Sequence, residues 1–386
     1  DLRMSRGLGD VYKRQFQLYQ NTSVTYLPEG AILLRNLIDR AAKAERFIFL
    51  EYFILAEGKL WDELEKILCA KAREGVEVKI IFDDFGNIKR FSGETIDRLR
   101  EVGVEVFIFN PVHEYVNRLH FNYRDHRKIA CIDGDVAYTG GVNIADEYAN
   151  LIERFGYWKD SGVCLEGEGA WGLTASFIRM CVNLGGVMHN EHDYYRPHTP
   201  VKSEGFCQPF TDGPQNNPDN PAEDVFLQMI SGARRFLYIT TPYFIPDESL
   251  MRALCIAGDG GVDVRLMLPG KPDHWYADCV AESYFGELIK HGVKVYRYTP
   301  GFLHGKSIMV DREAAFVGSA NMDYRSFELD YECGVMVYSA PMIESLLEDM
   351  DMIVDRSHLV TAEEWAKRSV LRRVFEPLLR LFAIWM

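Results

Sequence analysis

The feature that most constrains this chain is that it repeats itself. Gly75-Val-Glu-Val-Lys79 returns as Gly261-Val-Asp-Val-Arg265, each behind a helical stretch (61–74 and 248–257) and each running into an apolar strand, 80–82 and 266–268. Gly103-Val-Glu-Val-Phe107 matches Gly292-Val-Lys-Val-Tyr296, and Ala44-Glu-Arg-Phe47 matches Ala233-Arg-Arg-Phe236. Both halves have the same order: helix, strand, helix, strand, helix, strand, then a histidine motif. Several matches in register mean a tandem duplication. Strands separated by helices predict βαβ units, with helices over a largely parallel sheet. Gly75 and Gly261 stand where a left-handed residue ends a helix.

The turn-rich stretch 189–221 reads as the connector. It gives a first unit at 16–200, a second at 201–360 and a distinct C-terminal segment at 361–386. Residues 1–15 resemble a translated sequencing-library adapter, so they are expected to be a non-native leader that replaces the natural N-terminus.

Composition narrows the function classes. Of 386 residues, 47% are hydrophobic and 26% charged, enough for two or three cores. A net charge of −14 argues against a nucleic-acid binder. It leaves room for an anionic substrate, because a few placed cations govern a site inside an acidic protein. The eight cysteines include no C-x-x-C pair, which predicts buried reduced thiols rather than zinc ligands or a disulfide framework. No run of 18 apolar residues marks a membrane span.

Each half then reaches the same chemistry. His126-Arg-Lys128 leads to Asp133, Gly140-Gly141 and Asn143; His304-Gly-Lys306 leads to Asp311, Gly318-Ser319 and Asn321. Residues i and i+2 of a strand share a face, so each imidazole lies beside an ammonium. Gly141 and Ser319 are expected to let backbone approach an anion, with Asn143 and Asn321 as amide donors. Such a set forms a clamp for charge building up on phosphorus. Asp160 and Glu332 begin matched strands. We expect each to accept from an imidazole Nδ1–H and fix its tautomer, Asp160 for His126 and Glu332 for His304. Asp133 and Asp311 are candidates for catalysis or for strand-ending turns.

These residues resemble the paired H-x-K-x4-D motifs of the phospholipase D superfamily. The phrases Phe49-Leu-Glu-Tyr-Phe-Ile54, Asn122-Tyr-Arg-Asp125, Thr241-Pro-Tyr-Phe244, Tyr298-Thr-Pro-Gly-Phe302 and Asp323-Tyr-Arg-Ser-Phe327 are similar to bacterial cardiolipin synthases in particular. The likeness runs from about residue 16 to the end. It implies an α/β fold of two tandem phospholipase D-like domains, each a mixed, mostly parallel β-sheet flanked by helices. The two would pack with pseudo-twofold symmetry around one site. Family members carry N-terminal transmembrane helices that this chain lacks, which fits a truncated N-terminus or a naturally short member.

The resemblance further implies a phosphatidyl transfer through phosphohistidine, with His126 as nucleophile and His304 as acid; the near-identical motifs leave that order open. It implies phosphatidylglycerol and anionic membrane lipids as partners, the cytoplasmic face of a bacterial membrane as location, and no metal or other cofactor. A phospholipase D-type hydrolase and another phosphatidyltransferase remain alternatives. A catalytically dead scaffold is disfavoured because both motifs are complete.

Four lesser readings stay open. Arg124 and Arg127 either hold a second phosphate or are ordinary arginines near a cationic site. Tyr52, Phe53, Tyr243 and Phe244 either line lipid access or fill the core. The basic, apolar segment 366–386 either lies in an anionic lipid interface or docks on its own domain. His189, His192 and His198 resemble a zinc cluster, but sit in a turn-rich connector without a partner motif.

Overall fold

The computed structural model describes residues 16–112, 122–189, 193–214, 220–368 and 379–380. The first half supplies strands β1 (Thr22–Leu27), β2 (Phe47–Tyr52), β3 (Glu77–Asp83), β4 (Glu105–Phe109), β5 (Lys128–Ile132), β6 (Val136–Gly140) and β7 (Gly162–Gly167). They form one sheet in the order β1-β7-β6-β5-β2-β3-β4. The second half supplies β8 (Phe206–Asp212), β9 (Phe236–Thr240), β10 (Asp263–Pro269), β11 (Lys294–Tyr298), β12 (Ser307–Val310), β13 (Ala314–Gly318), β14 (Asp330–Tyr338) and β15 (Ser357–Leu359). Their order, β8-β14-β13-β12-β9-β10-β11-β15, repeats the first sheet and adds an edge strand.

The βαβ expectation holds for β2-β3-β4 and β9-β10-β11, which are parallel. The other pairings are antiparallel, including those that carry the histidine motifs. Each sheet is therefore mixed, with parallel pairing among its own half's strands found in the βαβ part. The cause is local: the short links after Ile132 and Val310 allow only hairpins, whereas a parallel crossover needs a dozen residues or more.

Helices α1 (Gly30–Ala41), α2 (Lys59–Arg73) and α3 (Gly93–Glu101) cover the outer face of the first sheet through Leu37, Trp61, Leu68 and Leu99. Gly75, with φ of 91°, stands just beyond α2 in the left-handed region that a side chain disfavours. After α4 (Ala170–Asn183), helices α5 (Pro221–Gly232), α6 (Glu248–Asp259) and α7 (Trp275–Lys290) cover the second sheet through Phe226, Leu254 and Phe285. Asp247 caps α6 by accepting from the Ser249 and Leu250 N–H groups.

The inner faces of the two sheets share a core. Phe49, Ile129, Val163 and Phe177 belong to the same buried cluster as Tyr238, Met309, Val335 and Met350. The last helix of each half crosses over: α4 packs on β8, and α8 (Met342–Asp355) packs on β1. Among the described residues no helix is long and apolar enough to cross a membrane. Most of the segment 366–386 lies outside the described residues; of the remainder, Leu379 packs against the second core and Arg380 lies 3.6 Å over the Tyr284 ring.

Candidate active site

Both histidines stand just ahead of a central antiparallel strand, and the other half holds each in place. The extended pair Arg124–Asp125 runs parallel to the start of β14, and the His126 N–H donates to Tyr331 O at 3.0 Å. Gly301–Leu303 likewise runs parallel to Tyr157–Lys159, and the His304 N–H donates to Lys159 O at 2.7 Å. One residue further along, each register delivers a carboxylate. His126 Nδ1 lies 2.8 Å from Glu332 Oε1, and His304 Nδ1 lies 2.6 Å from Asp160 Oδ2.

This corrects the expected pairing. Asp160 serves His304 and Glu332 serves His126, because these two-stranded bridges run between halves and not within them. In each case the carboxylate stands at Nδ1 and leaves Nε2 free of it.

Both histidines line one cavity of about 980 Å3. Burial holds His126 well below its ordinary pKa, and Lys128, Lys306 and His304 add to the effect. Burial and Lys306 lower His304 to about 4, against the pull of Asp160. Both imidazoles are therefore neutral at pH 7. Burial also lowers Lys128 to about 8 and Lys306 to about 7. Their ammoniums turn back on the carbonyls of His126 and His304, the latter at 2.5 Å, and Lys306 Nζ lies 3.0 Å from His304 Nδ1.

The carboxylates differ. Burial raises Glu332 to about 7, although Lys128 and the Ser319 and Ser326 hydroxyls oppose it. Burial also acts to raise Asp160, but His304, Lys306 and the Ser161 N–H outweigh it, so this carboxylate lies below its ordinary value.

Several expected phosphate contacts are engaged elsewhere. The Gly141 N–H donates to Ser161 O at 3.0 Å, and the Ser319 N–H to Cys333 O at 2.8 Å, so neither points at an anion. Ser319 Oγ donates to Glu332 Oε2. Gly141 has a different reason to be glycine: a Cβ there would stand 2.2 Å from Asp160 Oδ1. Asn143 is likewise committed, accepting from the Ile54 N–H at 3.0 Å and donating to Tyr148 Oη at 2.7 Å. Asn321 lines the cavity without the matching side-chain bonds, because Ser326 stands where the first half has Tyr148. The Ser326 hydroxyl accepts from the Asn321 N–H at 3.0 Å and donates to Glu332 Oε1 at 2.8 Å.

Asp133 and Asp311 stand away from the cavity, at the far ends of β5 and β12. Asp133 accepts from the N–H groups of Glu45, Arg46 and Phe47, and Asp311 from those of Arg234, Arg235 and Phe236. Their carboxylates tie each motif strand to the start of β2 or β9, a structural task that corrects their place among catalytic candidates.

Arg127 is also structural, buried between Glu51 at 2.5 Å, Asp125 at 2.9 Å and Ser176 at 3.0 Å. Arg124 lines the cavity, paired with Asp83 at 3.4 Å. Of the four strand-end aromatics, Phe53 and Tyr243 line the cavity, while Tyr52 and Phe244 lie in the cores. His189 and His198 contact Glu77 and Asp193 O, and His192 lies outside the described residues.

One described trio, His126, Asp330 and Glu332, brings potential metal-ligand atoms within 4.8 Å of one another. Asp330 is paired with Arg325 at 3.2 Å and Glu332 is taken by His126 and two serines, so these donors already have partners.

Sequence reasoning missed an aromatic wall. Tyr148, Trp158 and Phe302 meet His304 at centroid distances of 5.4, 5.4 and 5.5 Å, whereas Phe53 meets His126 at 5.1 Å. A usable signal was present: Trp158 and Phe302 stand two residues before Asp160 and His304, on the same strand faces.

Two stretches, 34–153 and 226–354, match the family model described as cardiolipin synthase, phospholipase D-like domain. The chain is 36% identical to the major cardiolipin synthase of Bacillus subtilis, covering 94% of this chain and 75% of that one. It belongs to the cardiolipin synthase family.

Another member of the family, the cardiolipin synthase of Halalkalibacterium halodurans, is also 36% identical, over 94% of this chain and 72% of its own length. An uncharacterized protein of Streptococcus mutans is 38% identical, over 95% and 79%. Among solved structures, the phosphatidylserine synthase of Haemophilus influenzae superimposes with a TM-score of 0.70 at 15% identity, covering 98% of this chain and 97% of that one. That likeness is one of fold: the cardiolipin synthase family shares the duplicated phospholipase D architecture.

Proposed function

We propose that this chain makes cardiolipin by moving a phosphatidyl group from one phosphatidylglycerol to another at an anionic membrane surface. The observation that carries this reading is the pair of neutral histidines, each with a carboxylate at Nδ1, facing one cavity. His126 Nε2 attacks phosphorus in line, and the P–O bond to glycerol breaks. His304, which takes up a proton at Nε2 once the anionic phosphodiester offsets the nearby Lys128 and Lys306 ammoniums, gives that proton to the departing alkoxide and is left neutral. The hydroxyl of the second phosphatidylglycerol then gives its proton to His304 and bonds to phosphorus as the P–N bond breaks. Lys128, Lys306 and the Asn321 amide stabilise the extra charge on phosphorus. A phosphodiester in the cavity competes with the His126 and His304 carbonyls for the ammoniums.

The assignment of His126 as nucleophile draws support from asymmetry. His304 stands inside three aromatic rings, which hinder water where the acceptor must enter. Relatives named cardiolipin synthase across most of the chain support the choice of substrate.

The test is to incubate the protein with phosphatidylglycerol vesicles and EDTA and to measure lipids and free glycerol. Cardiolipin and glycerol in equal amounts, lost in His126→Ala and in His304→Ala, are expected. Phosphatidic acid as the sole lipid product would make the chain a hydrolase. A phosphatidyl adduct trapped on His126→Ala would reverse the two histidine roles.

A further inference from the structure

The cations around the cavity are not evenly matched. Arg325 pairs with Asp330 at 3.2 Å and also donates to Asn122, and Arg124 has Asp83. Arg90 and Arg154 instead converge on one oxygen, Glu147 Oε1, each through Nη1 at 3.0 Å. Glu147 is buried, whereas the arginine side chains are 28% and 45% exposed. Two guanidiniums on one carboxylate leave a positive charge over, and both line the cavity.

The cluster belongs to the His304 side. Glu147 directly precedes Tyr148, whose ring meets His304. Arg154 lies over Phe155 at 5.4 Å, and Phe155 meets Phe302 and Trp158, the other two rings against His304.

We infer that Arg90 and Arg154 hold the phosphodiester of the acceptor lipid. The inference rests on the transferase reading above and adds no chemical step to it. In an in-line exchange the leaving glycerol and the incoming hydroxyl share the face opposite the nucleophile, which is the His304 face. A phosphatidylglycerol acceptor carries its own phosphate one glycerol unit from the attacking hydroxyl; water and simple alcohols carry none. Paired guanidiniums offer forked donors that suit a phosphate, and Glu147 holds them side by side before it arrives. The subsite therefore selects the acceptor by its charge, while the aromatic wall selects against water.

The experiment supplies phosphatidylglycerol in neutral detergent micelles with a fixed concentration of ethanol. A phosphatidyl-enzyme then partitions between the two acceptors, giving cardiolipin or phosphatidylethanol. The product ratio depends on acceptor binding and not on how much protein is folded. Arg154→Gln, alone and with Arg90→Gln, is expected to lower the ratio of cardiolipin to phosphatidylethanol roughly tenfold, and Arg154→Lys to lower it less. An unchanged ratio overturns the subsite, as does a parallel loss of both products, which would mean the arginines hold the donor or a neighbouring non-reacting lipid. Phosphatidylethanol without cardiolipin from the parent protein also overturns it. Neither product from the parent would instead sink the transferase reading.

Discussion

Glu332 Oε1 lies 2.8 Å from His126 Nδ1 although 206 positions of chain separate the two residues and they belong to opposite halves. Asp160 makes the reciprocal contact with His304 across 144 positions. Each half thus lends its carboxylate to the other half's histidine, and the parallel bridges between halves fix the register that makes this possible.

The exchange has a direct spectroscopic consequence. With 15N-labelled histidine, Glu332→Gln is expected to change the tautomer signals of His126 and leave those of His304 in place; Asp160→Asn is expected to do the reverse. Signals moving in the histidine of the same half would refute the crossed pairing.

Ser319 should reveal itself through pH. Burial pushes Glu332 up to about 7, and the Ser319 hydroxyl is among the groups that hold it down. In Ser319→Ala that carboxylate loses a donor, so its pKa rises further and less of it is ionised at pH 7. The acid limb of the kcat/KM profile is expected to move up by about one pH unit. A profile that drops uniformly without moving would assign the serine a packing role only.

Lys306 sets function against stability. Its pKa falls from 10.5 to about 7 because burial penalises the ammonium. Between these values the folded state binds fewer protons than the unfolded state, so this residue makes the parent gain stability as pH rises. Lys306→Met removes the buried charge. It is expected to be more stable than the parent at pH 7, with the difference vanishing above pH 10.5. Cardiolipin formation should fall about a thousandfold. Thermal melts across that range check it, and a variant less stable at pH 7 would contradict it.

Asp311 is expected to behave in the opposite way. Asp311→Ala strands three backbone N–H groups at the start of β9 and costs about 3 kcal/mol in denaturant titration. The kcat of the molecules that remain folded should be preserved. A large kcat loss at unchanged stability would return Asp311 to the chemistry.

The duplication made much of this legible. Repeated apolar strands, left-handed glycines after helices and two complete motifs predict two equivalent sheets and a shared site. What local spacing could not convey was which half each contact belongs to. Asp160 and Glu332 are matched positions, and matching is blind to whether a carboxylate serves its own histidine or its neighbour's. Nor could the motif show that Gly141 makes room for Asp160 while Ser319 donates to Glu332. Those follow from two side chains of different length reaching the same nitrogen on opposite sides of a site. Asp133 and Asp311 misled because a motif records recurrence and not location; the far end of a five-residue strand is remote from its first residue.

The crossed carboxylates also bear on how such a chain can change over time. A mutation that weakens Glu332 in one copy impairs the histidine of the other, so neither copy can drift as a private unit. Severed within 189–221, the two fragments would each carry a histidine stripped of its orienting partner and would regain it only by meeting. The peptide link supplies proximity, whereas the chemistry is a property of the encounter.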